Sequence, residues 1–245
     1  MPRFFIDRND IQNGFVTVKG ADAHHASNVL RVRPGDALTL ADFFNREYLG
    51  TVVQSGGSEV LVKIEEERET LSEPPFPIVL LMAMPKGDKF EWIIQKSTEL
   101  GVTEIRPFFS RFTVVRYDGN TAGKKTERFE KIAKSAAEQC GRGRIPHIEA
   151  PVQIKKALDL YRESSFLKIF CYEKESGRSL KDLLESSERP SGIVFMIGAE
   201  GGFDDAEARA ASDAGFTPVS LGRRILRCET APLLVASQIA YRYGF

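Results

Sequence analysis

Ile193-Val194-Phe195-Met196-Ile197-Gly198-Ala199-Glu200-Gly201-Gly202-Phe203-Asp204-Asp205 is the stretch on which the fold turns. The apolar run 193–197 has the length of a buried strand, and a helix is predicted from about 205 to 214. Three glycines lie between them. They permit close backbone approach to a ligand or positive backbone dihedrals, and a tight connection with a good N-cap would use them equally. The loop has neither the GxxxxGK[ST] lysine nor GxGxxG spacing. Asp204, Asp205 and Glu207 neutralise the positive end of the coming helix and would oppose a bound pyrophosphate, which favours a cofactor without phosphates.

Strands and helices alternate on both sides of this loop. Residues 78–84 form another strand-length apolar run, and the next segment, 88–100, puts Phe90, Ile93, Ile94, Ser97 and Leu100 on one helical face. Asp88 and Glu91 have capping-box spacing, and Gly101 supplies a stop. Phe129, Ile132, Ala133, Ala136, Ala137 and Cys140 recur at steps of three and four, which predicts a helix ending at Gly141. Strands are expected at 167–171 and 218–221, and a last helix at 232–241. Such alternation predicts an α/β fold with a largely parallel sheet covered by helices, its ligands beyond the carboxyl ends of the strands.

A change of composition precedes that pattern. Leu71-Ser72-Glu73-Pro74-Pro75-Phe76-Pro77 can neither propagate a helix nor sit within a sheet, so domains are expected at 1–73 and 74–245. Before the linker, short runs at 14–18, 37–41, 48–53 and 60–64 predict a small β-barrel or sandwich with one helix near 21–30. The length of 245 residues agrees with two domains, and 42% hydrophobic and 28% charged residues are ordinary globular composition.

Cys140, Cys171 and Cys228 are widely spaced and form no CxxC pair, so neither a disulfide framework nor a metal site is expected. The N-terminus turns charged before any signal-like stretch develops, and no run approaches the roughly 18 apolar residues of a membrane span. A cytoplasmic protein without membrane or metal partners is the expectation. Net charge is formally zero, which argues against a nonspecific nucleic-acid coat. Its distribution is uneven: residues 1–73 hold 8 Lys/Arg against 12 Asp/Glu, and residues 86–144 hold 13 against 8. A solvated mixed-charge surface would also account for this.

A second loop stands at the other expected strand end: Leu221-Gly222-Arg223-Arg224-Ile225-Leu226-Arg227-Cys228-Glu229-Thr230-Ala231-Pro232. Thr230 is placed to cap the following helix, and Pro232 suits its first turn. Three arginines in five residues, interleaved with Ile225 and Leu226, suit phosphate binding or the stabilisation of developing negative charge. S-adenosylmethionine, with a sulfonium and an amino acid but no phosphate, meets the requirement set by the glycine loop.

These motifs resemble the RsmE type of 16S ribosomal RNA uridine-N3 methyltransferases in the SPOUT superfamily. The resemblance covers nearly the whole chain. It includes Arg3-Phe4-Phe5, His25 with Val29-Leu30-Arg31, Gly35-Asp36, 96–102, Glu138-Gln139-Cys140-Gly141-Arg142, 197–203 and 221–231. The family usually has proline where this chain has Ala199. The resemblance implies an N-terminal PUA-like β-barrel that helps hold RNA. It further implies a C-terminal SPOUT methyltransferase domain with a trefoil knot around S-adenosylmethionine, and a homodimer with the pocket near the subunit interface. The implied substrate is a uridine in the decoding region of 16S rRNA, within the small ribosomal subunit.

Carried over by position, the cofactor residues are Gly198, Gly201, Leu221, Gly222, Ile225, Leu226 and Arg227, with Tyr172 either closing one side or serving as an ordinary strand-end aromatic. N3 of uridine must lose its proton before it attacks the methyl group. Arg227 is placed to stabilise charge on the uracil oxygens, and Glu200 or Glu229 to accept the proton directly or through water; capping or dimer contacts would also explain the carboxylates. Lys86, Arg111, Arg116, Arg142 and Arg144 are candidates for phosphate contacts. The alternatives are a noncatalytic RNA-binding or ribosome-assembly module, which would not need both loops, and a nucleotide-dependent oxidoreductase, which lacks its phosphate signature. His24, His25 and His147 read as surface or packing residues, and Cys140 as a buried structural thiol.

Overall fold

A computed structural model describes residues 1–114 and 119–245 of the chain. These divide into two compact units, the first made of Met1–Glu73 and Ala137–Ile145, the second of Pro74–Ala136 and Pro146–Phe245.

The first unit is built on a sheet of β1 (Arg3–Phe5), β2 (Phe15–Lys19), β3 (Ala37–Ala41), β4 (Arg46–Gly56) and β5 (Glu59–Glu69), in the order β1-β3-β4-β5-β2. β1 runs parallel to β3; the other pairings are antiparallel. Alternation places Val16 and Val18 of β2 with Val60 and Val62 of β5 in one apolar core, joined by Phe4, Leu38 and Leu40. In place of one helix over 21–30 the chain makes α1 (Gly20–His24) and then a π-helical turn, His25–Val29, from which Ser27 Oγ donates to the Gly56 carbonyl at 2.9 Å.

Glu73 closes this unit. Its carboxylate accepts from the Arg142 guanidinium and from the backbone N–H groups of Gly143 and Arg144. The residues after the long helix are therefore bound to the end of the barrel segment.

The second unit contains β6 (Ile78–Ala83), α2 (Lys89–Glu99), β7 (Glu104–Phe109) and most of α3 (Gly119–Cys140), then β8 (His147–Ile148), β9 (Val152–Gln153), α4 (Ile154–Asp159) and β10 (Leu167–Cys171). It ends with α5 (Leu180–Ser186), β11 (Ile193–Ile197), α6 (Asp205–Asp213), β12 (Thr217–Val219) and α7 (Ala231–Tyr243). The sheet order is β12-β10-β11-β6-β7-β8, with β9 beside β7, and every pairing is parallel.

β6 and β11 are buried at every position, which is why they read as unbroken apolar runs. Val79, Leu81 and Ala83 share one core with Val194, Met196, Ala157 of α4 and Ala211 of α6. On the other side α7 packs against α2, α5 and β11. Helices thus cover both faces, and the connections leaving β6, β10, β11 and β12 emerge at one sheet edge.

Two expected caps are absent. Asp88 and Thr230 precede α2 and α7, but neither side chain bonds to the helix. Their backbones, at φ −91°, ψ 8° and φ −86°, ψ −36°, lack the extended geometry that turns an N-cap oxygen toward the first turn. Asp204 has that geometry and forms a reciprocal capping box with Glu207 on α6. A second box, Ser179 with Asp182, opens α5.

Candidate functional site

Beyond the carboxyl ends of β10, β11 and β12 lies a cavity of about 570 Å³. That is ample for a small-molecule ligand. Three stretches form most of its wall: 171–173, 197–202 and 220–231.

The glycine loop is held from below. Phe203 is buried, edge-on to Phe170 with centroids 4.9 Å apart and stacked over Phe108 at 6.3 Å. Truncating a ring so placed costs about 3–5 kcal/mol. Above it the chain doubles back, Gly202 N–H donating to the Ala199 carbonyl at 3.0 Å with Gly202 at φ +64°. A Cβ on Gly201 would stand 2.7 Å from the Cβ of Phe112. The loop therefore needs its glycines for local fit as well as for access to a ligand.

The second loop is irregular until Thr230 and Ala231 donate to the Arg227 carbonyl and begin α7. Ile225 is 81% exposed and the Arg227 side chain 82%, so both project from the wall. Gly222 adopts φ +115°, and its N–H donates to Ser220 Oγ.

All eight residues read as cofactor-binding, Tyr172, Gly198, Gly201, Leu221, Gly222, Ile225, Leu226 and Arg227, line this one cavity, as do Glu200 and Glu229. The phosphate candidates are dispersed. Lys86 and Arg111 belong to the second unit, Arg142 and Arg144 to the first, and Arg116 lies outside the described residues. Lys86 and Arg144 are exposed. Arg111 is exposed too, but its Nη1 donates to Asp204 at 3.0 Å and its backbone N–H to Glu207 at 2.7 Å. Arg142 requires a correction: its side chain is 3% exposed and held in a two-point ion pair by Glu73, so it presents no face to a phosphate.

Sequence reasoning passed over Lys89, Glu173 and Ser220, which also line the cavity. Glu173 lies against Gly202, where an added Cβ would collide with its carboxylate. Lys89 Nζ reaches both candidate carboxylates, Glu200 at 2.8 Å and Glu229 at 3.5 Å. A signal for it did exist: a cation at the first position of α2, where the helix dipole disfavours positive charge.

The electrostatics follow from this cluster. Burial pushes the Glu200 carboxyl up, but the Lys89 ammonium and the backbone N–H groups of Glu200 and Lys86 outweigh it and leave Glu200 below the ordinary carboxylate value. Glu229 is likewise raised by burial and lowered further by its own N–H, the Cys228 thiol and Lys89. The hydrogen bond to Glu200 raises Lys89. Burial and the hydrogen bond to Glu229 push the Cys228 thiol up to about 12, so it stays protonated at neutral pH. Both carboxylates are anionic, and their depressed values make them weak proton acceptors.

Residues 72–240 match a family described as RNA methyltransferase domain, and residues 18–65 one described as RNA methyltransferase PUA domain. A ribosomal RNA small subunit methyltransferase E from Bacillus subtilis is 33% identical over 99% of this chain and 97% of its own. This chain belongs to the ribosomal RNA small subunit methyltransferase E family. A family member from Neisseria gonorrhoeae, whose crystal structure holds S-adenosyl methionine, superposes with a TM-score of 0.87 at 34% identity, covering 99% of this chain and 98% of that one. A putative methyltransferase from Legionella pneumophila, also solved with bound S-adenosyl methionine, gives 0.87 at 32% identity over 98% and 96%.

Proposed function

We propose that this chain transfers the methyl group of S-adenosylmethionine to N3 of a uridine in the decoding region of 16S rRNA. The observation that carries the reading is the cavity at the carboxyl edge of β10, β11 and β12, walled by both motif loops, in a chain of this family. Its chemistry suits the cofactor. The start of α6 is already neutralised by the Asp204–Glu207 box, which disfavours a phosphate, and Glu173, Glu200 and Glu229 provide a setting for a sulfonium and an ammonium. Bound there, S-adenosylmethionine supplies an electrophilic methyl group.

In this reading Gly198, Gly201, Leu221, Gly222, Ile225 and Leu226 hold the cofactor through backbone groups and apolar contact, and Tyr172 closes one side. Arg227, whose side chain is 82% exposed on the second loop, meets the uracil and stabilises negative charge spreading onto its oxygens. Glu200 and Glu229 stay ionised; a proton leaving N3 passes to one of them or, since both are weak bases, through water. Alignment supplies much of the rate, about 7–11 kcal/mol when reacting atoms are well placed.

Lys86, Arg111, Arg116 and Arg144 remain the proposed phosphate contacts, with the PUA-like unit assisting RNA binding. The same reading assigns residues 1–73 and 74–245 to the two domains, with Ala137–Ile145 of the second stretch completing the first compact unit. It gives the second a trefoil-knotted chain and a homodimer with the cavity near the subunit interface, and it places the protein in the cytoplasm, acting on the small ribosomal subunit.

The test is methylation of small subunits lacking the modification, with labelled S-adenosylmethionine, followed by nucleoside mass spectrometry. N3-methyluridine is the expected product. A different methylated nucleoside would move the target, and absence of cofactor binding would overturn the reading in favour of a noncatalytic RNA-binding module.

A further inference from the structure

Lys89 occupies a position that local helix physics does not favour. It is the first residue of α2, where the dipole repels cations, and Asp88 before it supplies no side-chain cap. Departures of this kind from local preference are commonly maintained for a site. Here the compensation comes from elsewhere in the chain. The ammonium stands 2.8 Å from Glu200 in the loop after β11 and 3.5 Å from Glu229 in the loop after β12.

The topology makes this bridge unusual. β6 leads into Lys89 and neighbours β11, whereas β12 is at the far side of β10. One side chain therefore reaches from the β6 end of the sheet edge to the segment that follows β12, with the glycine loop between. The backbone N–H of Lys86, from the same β6–α2 connection, adds a second hold on Glu200 at 3.3 Å. The two loops joined in this way both line the cavity, and the hydrogen bonds within each are local, Gly202 to Ala199 in one and Gly222 to Ser220 in the other.

We propose that Lys89 is a positioning residue, which fixes the separation of the two cofactor loops by joining Glu200 of one to Glu229 of the other. The assignment rests on the reading of this cavity as the S-adenosylmethionine site. Its effect falls on cofactor binding: without the bridge the loops sample wider separations, and the cofactor must order them as it enters. An ion pair this exposed adds little to the stability of the whole fold, so loop order and global stability respond differently to its loss.

The test uses the full chain and four variants: Lys89→Met, Lys89→Arg, Glu200→Gln and Lys96→Met. The last removes a comparably exposed ion pair on the same helix, with Glu99. Lys89→Met is expected to weaken S-adenosylmethionine binding by about tenfold, with the loss appearing in KM and not in kcat at saturating cofactor. Lys89→Arg is expected to retain most of the affinity, and Lys96→Met all of it. Amide hydrogen exchange without cofactor gives an independent readout: protection at 198–202 and 221–229 falls in Lys89→Met and Glu200→Gln, while the strands are unchanged. Unaltered loop exchange together with unaltered affinity in Lys89→Met would overturn the proposal. If the wild-type chain binds no S-adenosylmethionine, the functional reading fails, and the exchange comparison alone decides whether the bridge orders the loops.

Discussion

The Arg142 guanidinium donates to both oxygens of Glu73, Nη2 at 2.6 Å and Nε at 3.2 Å, and neither side chain is more than 9% exposed. Such a pair is expensive to break from one side, because a buried guanidinium loses the carboxylate that compensates its charge. Glu73→Ala is expected to destabilise the first unit by about 3–5 kcal/mol. The two N–H groups of Gly143 and Arg144 lose their acceptor in the same step. Urea titration followed by amide exchange in β3, β4 and β5 measures it; a loss below 1 kcal/mol would show that water replaces the carboxylate.

Gly201→Ala introduces a Cβ 2.7 Å from Phe112 Cβ and 3.1 Å from its ring. Either the glycine loop or the 110–114 segment must move. Since Phe203 fixes the loop from within the core, the cavity wall is distorted, and S-adenosylmethionine affinity is expected to fall by about tenfold or more with small effect on thermal unfolding. Calorimetric titration with the cofactor gives the answer, and wild-type affinity would mean that Phe112 yields.

Arg227 projects into solvent and approaches Glu229 only at 4.0 Å. Its proposed partner is the uracil, so Arg227→Ala is expected to lower kcat by about a hundredfold or more at saturating RNA. Binding of S-adenosylmethionine should change little. A larger loss in cofactor affinity than in turnover would move Arg227 from the reacting end of the site to the cofactor end.

Acid exposes the state of Glu200. Its folded value is depressed below the ordinary 4.5, so the stability contributed by the carboxylate is fully present above that value and disappears as pH falls through the folded one. The difference in stability between wild type and Glu200→Gln is therefore expected to be flat from about pH 5 to neutrality and to shrink in more acid solution. Partial exposure keeps this difference small and salt-sensitive. A difference that grew on acidification would reverse the sign of the shift.

Much of the architecture was legible because burial on both faces leaves a clear mark. The runs 167–171 and 193–197 coincide with β10 and β11. β7 escaped because Glu104, Arg106 and Pro107 interrupt its apolar pattern, although Pro107 pairs with Met82 inside the sheet. The short helix α5 carried its signal in Ser179 and Asp182, a box with too brief an apolar run after it to stand out. At the site, both loops were readable from glycine, arginine and their positions at strand ends. Lys89 leaves only a cation at an unfavourable helix position, since its partners lie more than a hundred residues away, and Arg142 departs from the expectation because charge in a sequence does not say whether a carboxylate waits to bury it.

The discontinuity of the first unit bears on how the chain is made. Synthesis delivers the barrel strands first, yet Ala137–Ile145, which completes their unit, emerges only after β6, α2, β7 and most of α3 have been made. Until then Glu73 has no Arg142, and the nascent barrel is an unfinished object at the ribosome exit. A fragment cut at residue 73 would remain in that unfinished state permanently, so the linker that divides the chain by composition is not a place where it can be divided by scissors.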